Sequence, residues 1–277
     1  MSQDLIPAAG YAVIGGSGTF SINFPEDLGL QEIEVINDKL TFATPFGESP
    51  TFKLFTCGNK RVLTCKMHGW RAGCSRGDAS RQLFWVLQQA GVKKIIVDGG
   101  VGSINHLLKP RDILIPSDYL DFSMRKDVGL GGSFLLSMRQ PVCPQIARTL
   151  FTTAERLHKT GKVFDRGIYA VTDGRHFESP AEVQMLARLG ADMVGQSMCP
   201  EVYLAREIGA CYGRIDIVVN YAEGIVADWE HRELADIFYN ESKTIASIVI
   251  ETLKQLDESD ACGCPELRYN TLLRDDH

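Results

Sequence analysis

Apolar and polar positions along the chain fall into two alternating regimes. Short β-branched runs read as strands at Tyr11–Ile14, Arg61–Lys66, Lys94–Val97, Asp112–Ile115, Gly167–Val171, Asp192–Val194 and Ile215–Val219, and longer stretches of helical period separate them. The run around Ile95 is apolar without alternation, as expected of a strand covered on both faces. In GDASRQLFWVLQQAG, Leu83, Val86, Leu87 and Ala90 share one helical face, and Gly91 suits the C-terminal cap. Ser179-Pro180-Ala181-Glu182 reads as a capping box with proline in the first helical position. Pro200-Glu201 opens another helix. Leu234, Phe238, Ile245, Ile248, Val249 and Leu253 mark a long amphipathic closing helix from about His231 to Leu256.

No internal repeat, low-complexity tract or Pro/Ser linker interrupts this order. The pattern predicts a single α/β domain over residues 1–277, with a central mixed, largely parallel sheet flanked by helices and a tail from about residue 258. Such sheets bind ligands beyond the carboxyl ends of their strands. The unusual residues fall at those ends: GGSG after the first strand, KMHG after Leu63, DGGVGS after Ile96, TDGRHFE after Val171, GQS after Val194 and NYAEG after Val219. Together they describe a pocket.

Composition narrows the partners. The chain is 44% hydrophobic and 23% charged with a net charge of −6, and no basic block stands out, which argues against nucleic acid or an anionic membrane. No run approaches the roughly 18–20 apolar residues of a membrane span. No basic stretch followed by an apolar core opens the chain, so a cytoplasmic location is expected. The eight cysteines are scattered, as expected of free thiols in a reducing compartment. Only Cys262-Gly263-Cys264 is closely spaced; it lacks the second pair or nearby histidines of a zinc site, leaving a redox-sensitive pair or surface thiols open.

The glycine loop fits neither common nucleotide signature. Read from Gly16 it gives G-S-G-T-F-S, without the third glycine of the dinucleotide fingerprint, and it lacks the Gly-Lys-Ser/Thr ending of a phosphate-binding P-loop. Its amides and the Ser17 hydroxyl can form an anion-binding nest, or a plain tight turn. Two further stretches favour the anion. Lys66 and His68 stand at i, i+2 and so point to one side of an extended strand. Ser197 just precedes the Pro200 helix, whose unpaired amides attract negative charge. Two hydroxyls, an ammonium and an imidazole make a chemically sensible seat for phosphate.

In this order, IGGSG, the His-Gly after a strand, GVGSIN, GRHFES-AE, GADMVGQS-PEV-LARE and VVNYAEGI resemble the trimeric nucleoside phosphorylase family, which holds the purine nucleoside and methylthioadenosine phosphorylases. The match runs from Ala12 to about Leu253, and the late CGCPELRYN resembles the C-x-C tail of some bacterial methylthioadenosine phosphorylases. The resemblance implies a nucleoside phosphorylase-like fold, a homotrimer and phosphate-dependent cleavage of the N-glycosidic bond in purine salvage. It implies no metal or organic cofactor, with inorganic phosphate as co-substrate.

Carried over onto this chain, the resemblance places phosphate at Ser17, His68, the backbone near Gly100, and Ser197. Lys66 stands where the purine nucleoside type has arginine, and Met67 where the methylthioadenosine type has it. An ammonium lacks the bidentate fork of arginine, so weaker phosphate binding is expected. The base site implied is Phe177 stacking on the purine, with Glu178 and Asn220 on its edge. An amide at 220 can accept from protonated N7 while donating to O6, which favours a 6-oxopurine; adenosine-type members carry Asp there. The sugar site implied contains Gln196, where Met is usual, and His231 for a 5′-hydroxyl, where methylthio-type members are apolar. Asn220, Glu178 and His68 are the catalytic residues implied. The alternatives are a methylthioadenosine or methylthioinosine phosphorylase, a purine- or aromatic-ligand binding homologue without turnover, and a hydrolase using water in place of phosphate.

Overall fold

The computed structural model describes residues 5–67, 73–226, 228, 230–259 and 262–272. Its centre is strand β1 (Tyr11–Gly15), every residue of which is buried. The remaining strands are β2 (Ile33–Leu40), β3 (Ala43–Thr44), β4 (Gly47–Glu48), β5 (Phe52–Cys57), β6 (Lys60–Lys66), β7 (Lys94–Ser103), β8 (Ile113–Leu114), β9 (Asp118–Asp121), β10 (Phe134–Leu136), β11 (Val163–Phe164), β12 (Ile168–Val171), β13 (Met193–Gly195), β14 (Cys211–Tyr221) and β15 (Arg268–Asn270). The helices are α1 (Arg76–Ala90), α2 (Pro144–Leu157), α3 (Pro180–Arg188), α4 (Met198–Glu207) and α5 (His231–Gln255). One sheet runs β11-β8-β14-β7-β1-β6-β5-β2, and β7 also receives β13, which carries β12 and β9. The β1–β6, β1–β7 and β7–β14 pairs are parallel, whereas β13 on β7 and β8 on β14 are antiparallel, and β2, β5 and β6 form an antiparallel edge. The expected mixed, largely parallel sheet is present.

The two faces follow from the period of two along each strand. In β1, Ala12 and Ile14 join the apolar layer under α1 and α4 with Leu83, Leu87 and Val202. Tyr11 and Val13 join the opposite layer under α2 and α5 with Ile146, Leu150, Ile245 and Val249. Burying both faces favours the unbroken β-branched runs read from the sequence.

Several boundaries differ from the pattern. Strand β7 continues through DGGVGS because β14 runs alongside it, from Cys211 opposite Lys94 to Tyr221 opposite Ser103, with one register shift near the end. Strand β14 begins at Cys211, four residues before the expected start, because the buried charges of Arg214 and Asp216 interrupt its apolar signature. Strand β5 and helix α2 carry no expectation above; α2 opens with Pro144 at its first turn and buries Ile146, Leu150 and Ala154 one turn apart. The C-terminal segment is folded, with a 3-10 turn at Cys264–Leu267 and β15 paired antiparallel to β10. Among the described residues, no helix is long and apolar enough to cross a membrane.

Candidate active site

The GGSG loop is ordered by a carboxylate. Asp98, buried in β7, accepts from the Thr19 amide at 2.9 Å and the Thr19 hydroxyl at 2.8 Å, and also from the Gly16 amide. Burial pushes the Asp98 carboxyl up to about 6, against the pull of these donors and of Arg214. The loop packs so tightly that a Cβ on Gly16 would stand 2.1 Å from the Asp98 carbonyl oxygen, which explains its bare backbone. Two of the loop's amides are therefore spent on the protein's own anion, and Ser17 is left to face the cavity.

Strand β14 supplies the opposite wall. Its pairing with β7 slips between Val218 and Asn220, a bulge that sets Asn220 at the strand's carboxyl end. Asn220 is buried, and its Nδ2 donates to the Tyr221 carbonyl at 2.8 Å. Among the described residues, one N–H and the Oδ1 remain for a ligand. Lower in the strand, Arg214 Nε donates to Asp216 Oδ2 at 2.7 Å, and Arg214 Nη2 donates to Ser197 Oγ at 2.9 Å. Ser197, at the mouth of α4, is thereby held by a buried guanidinium.

A carboxylate lies between two such guanidinium groups. Glu201 accepts from Arg76 Nη2 at 3.2 Å and has Arg214 Nη1 at 4.0 Å, while Arg76 Nη1 donates to the Met67 carbonyl at 2.8 Å. Burial raises the Glu201 carboxyl, and the two arginines oppose that shift.

The third wall is the loop after β12. The Thr172 hydroxyl donates to Glu178, fixing the carboxylate, and Phe177 stands half exposed at the rim. Gln196 Nε2 donates to the His176 carbonyl at 3.1 Å, tying the loop to the end of β13. Gly174 and Arg175 both take positive φ, 82° and 67°, to make the turn around Gln196. Arg125 Nη2 braces the base of the loop through the carbonyls of Thr172 and Gln196.

These walls enclose a cavity of about 420 Å³, within the range of small-molecule sites. Of the residues expected from the sequence, Ser17, Gly100, Phe177, Glu178, Gln196, Ser197 and Asn220 all line it. Lys66 does not: its ammonium donates to the carbonyls of Phe20 and Ile22, at 3.2 and 2.7 Å. His231 does not line it either; it opens α5 on the exposed side, and Leu234 and Phe238 of that helix form the wall. His68 lies outside the described residues. Arg76, Asp98 and Glu201 line the cavity without having been expected there, and Arg214 supports it from behind. Arg76 gives no local signal, since it directly precedes the helical stretch GDASRQLFWVLQQAG, whereas the charges inside CYGRIDIVVN interrupt an apolar run.

The fold and sequence have close counterparts. The chain is 30% identical to a probable 6-oxopurine nucleoside phosphorylase of Moorella thermoacetica, covering 91% of this chain and 95% of that protein. It is 31% identical to a probable S-methyl-5′-thioinosine phosphorylase of Methanopyrus kandleri, covering 92% and 95%. Among solved structures, methylthioadenosine phosphorylase from Schistosoma mansoni in complex with adenine superposes with a TM-score of 0.78 at 21% identity, over 92% of this chain and 94% of that one. The profile of the phosphorylase superfamily matches residues 11–254, so this chain belongs to that superfamily.

Proposed function

We propose that the chain is a purine nucleoside phosphorylase acting on 6-oxopurine nucleosides, releasing the free purine and ribose 1-phosphate. The observation that carries this reading is the amide of Asn220. With one N–H given to the Tyr221 carbonyl, it presents an acceptor and a donor together, the pair that N7–H and O6 of hypoxanthine or guanine require. The relatives named as 6-oxopurine nucleoside phosphorylases, at about 30% identity, support it.

In this reading the base stacks on Phe177 with its edge on Asn220 and Glu178. The C1′–N9 bond lengthens first and its electron pair passes into the purine, while the sugar gains oxocarbenium character. As the bond breaks, N7 takes up a proton from solvent; Asn220 Oδ1 accepts from that N7–H and its remaining N–H donates to O6, so the purine leaves neutral, and preorganised hydrogen bonds of this kind are worth about 3–4 kcal/mol. A phosphate oxygen then forms the new bond to C1′. Phosphate is held by Ser17, the Gly100 backbone, Ser197 and His68, with Arg76 as the cationic side chain of the described cavity. Arg76 shares its charge with Glu201, so phosphate affinity is modest. Arg214 acts as a positioning residue, aiming the Ser197 hydroxyl. Homotrimeric assembly, a cytoplasmic location and a role in purine salvage complete the proposal, with phosphate as the only co-reactant.

A second reading concerns the 5′ position alone. Leu234 and Phe238 make the α5 wall apolar, and His231 is outside it, which suits a 5′-methylthio group. The Methanopyrus kandleri relative bears that name. One assay tests both readings: base release from inosine, 5′-methylthioinosine, adenosine and methylthioadenosine, with and without phosphate. Phosphate-dependent hypoxanthine release is expected, and the preferred of the first two substrates assigns the 5′ group. Preference for the adenine nucleosides, base release independent of phosphate, or binding without turnover would overturn the proposal.

A further inference from the structure

A second cluster of chemistry lies at the other end of the sheet. Cys143, Cys211, Cys262 and Cys264 bring their sulfur atoms within 4.8 Å of one another. They come from three separate parts of the chain: the N-cap of α2, the first residue of β14, and the C-terminal segment. Cys211 and Asn220 are nine residues apart in one strand, so about 30 Å separates this cluster from the cavity. The other cysteines, Cys57, Cys65, Cys74 and Cys199, are not part of it.

We infer that these four cysteines form a binding site for one zinc ion. A tetrahedral Zn–S₄ centre with bonds of about 2.3 Å spaces its sulfurs about 3.8 Å apart. The observed set brackets that spacing, with Cys211 and Cys262 at 3.2 Å and every pair within 4.8 Å. Four thiolates converging on one point are a soft, tetrahedral donor set that suits zinc. Burial of cysteine alone carries no such meaning, since a thiol packs as a small apolar group. It is the convergence of all four sulfurs that points to a ligand.

The surroundings fit that use. Gly263 takes φ of 71°, which lets the C-x-C segment turn and offer both sulfurs to one side. The Cys143 sulfur receives the amides of Gln145 and Ile146 at the start of α2, where negative charge is favoured. Arg206, buried in α4, donates to the Cys264 carbonyl at 2.7 Å and the Gln140 carbonyl at 2.6 Å, holding two ligand-bearing segments in place. Lys94 Nζ reaches Gln145 Oε1 at 3.0 Å, a buried cation beside a centre that carries net negative charge. On binding, each thiol releases its proton to solvent as its sulfur ligates the metal. The ion staples the C-terminal segment, and with it β15 on β10, to the sheet and to α2. The C-x-C pair thus finds in Cys143 and Cys211 the second pair that its sequence neighbourhood lacks.

The test uses the whole chain, reduced and stripped with a chelator, then titrated with Zn²⁺ against a chromophoric competitor and, separately, with Co²⁺. One ion per chain is expected, with the visible bands and sulfur-to-cobalt charge transfer of a tetrahedral thiolate site. Cys262→Ser, at the half-buried ligand, should weaken zinc binding by about 100-fold. The thermal midpoint should rise on adding zinc to the wild type and not to that variant. Should the reduced wild type bind neither ion tightly, should it bind them no better than a Cys262→Ser/Cys264→Ser variant, or should the four thiols be found only as disulfides, the zinc site is refuted. None of these readouts depends on turnover, so they stand apart from the functional proposal.

Discussion

The guanidinium of Arg214 lies against the Cα of Gly99. A Cβ built on Gly99 would stand 2.1 Å from Arg214 Nη2 and 2.4 Å from Asp216 Oδ1. The first glycine of DGGVGS is therefore coupled to an ion pair on the neighbouring strand, which has no exposed surface. Removing one partner of such a pair leaves an uncompensated buried charge, and crowding it forces backbone to move.

Gly99→Ala should accordingly destabilise the protein by about 3 kcal/mol or more. Urea unfolding of the variant, compared with Gly99→Ala in an Arg214→Met/Asp216→Leu background, measures it. The cost should shrink in that background, because the atoms in the way are those of the pair.

Asp98 predicts an unusual pH dependence. Its folded-state carboxyl, pushed up to about 6 by burial, ionises later than the same group in the unfolded chain. The folded state therefore binds the extra proton more tightly. This group's contribution to stability is full below about pH 4 and is lost as pH rises to about 6. Stability measured from pH 4 to 7 should fall in wild type relative to Asp98→Asn across that interval. Protonation also removes an acceptor from the GGSG loop, so kcat/KM for phosphorolysis should decline below about pH 6.

Asn220→Asp exchanges the amide donor for an acceptor at the base edge. Opposite O6, a carboxylate leaves two acceptors facing each other. kcat/KM for inosine should fall by roughly 10- to 100-fold, while the 6-amino nucleoside gains relative to it. Steady-state kinetics with inosine and adenosine measure the switch; an unchanged ratio would remove Asn220 from base recognition.

Phe177 and Thr172 separate binding from positioning. Phe177→Ala should raise KM for the nucleoside about tenfold with little change in kcat, since stacking on a base is worth about 1–3 kcal/mol. Thr172→Val leaves the cavity lining intact but removes the hydroxyl that donates to Glu178. It should lower kcat/KM for the nucleoside and leave KM for phosphate unchanged.

Much of the pocket was legible because its residues interrupt local patterns. Ser17, Gln196, Ser197 and Asn220 sit at strand ends, Phe177 and Glu178 in the loop after β12 and Gly100 in the glycine-rich part of β7, and all of them meet. Lys66 was read from the side it faces on an extended strand, but nearby loop carbonyls capture a flexible ammonium before it reaches the cavity. The family resemblance implies His231 at the sugar, and helix phase instead presents Leu234 and Phe238. Arg214 and Asp216 obscured the start of their own strand, because charge pairing buried what composition marks as exposed.

By itself, the sequence determined the central strands, the helices α1, α3, α4 and α5, the two-faced sheet and the loops that carry chemistry. Those depend on local period, caps and glycine, which act over a few residues. Only the tertiary structure decided which cation stands beside Ser197, whose carboxylate fills the GGSG loop, and that Cys143 and Cys211 meet the C-x-C pair. Such partners lie tens to over a hundred residues apart along the chain, and strand register and packing, which no local pattern encodes, bring them together.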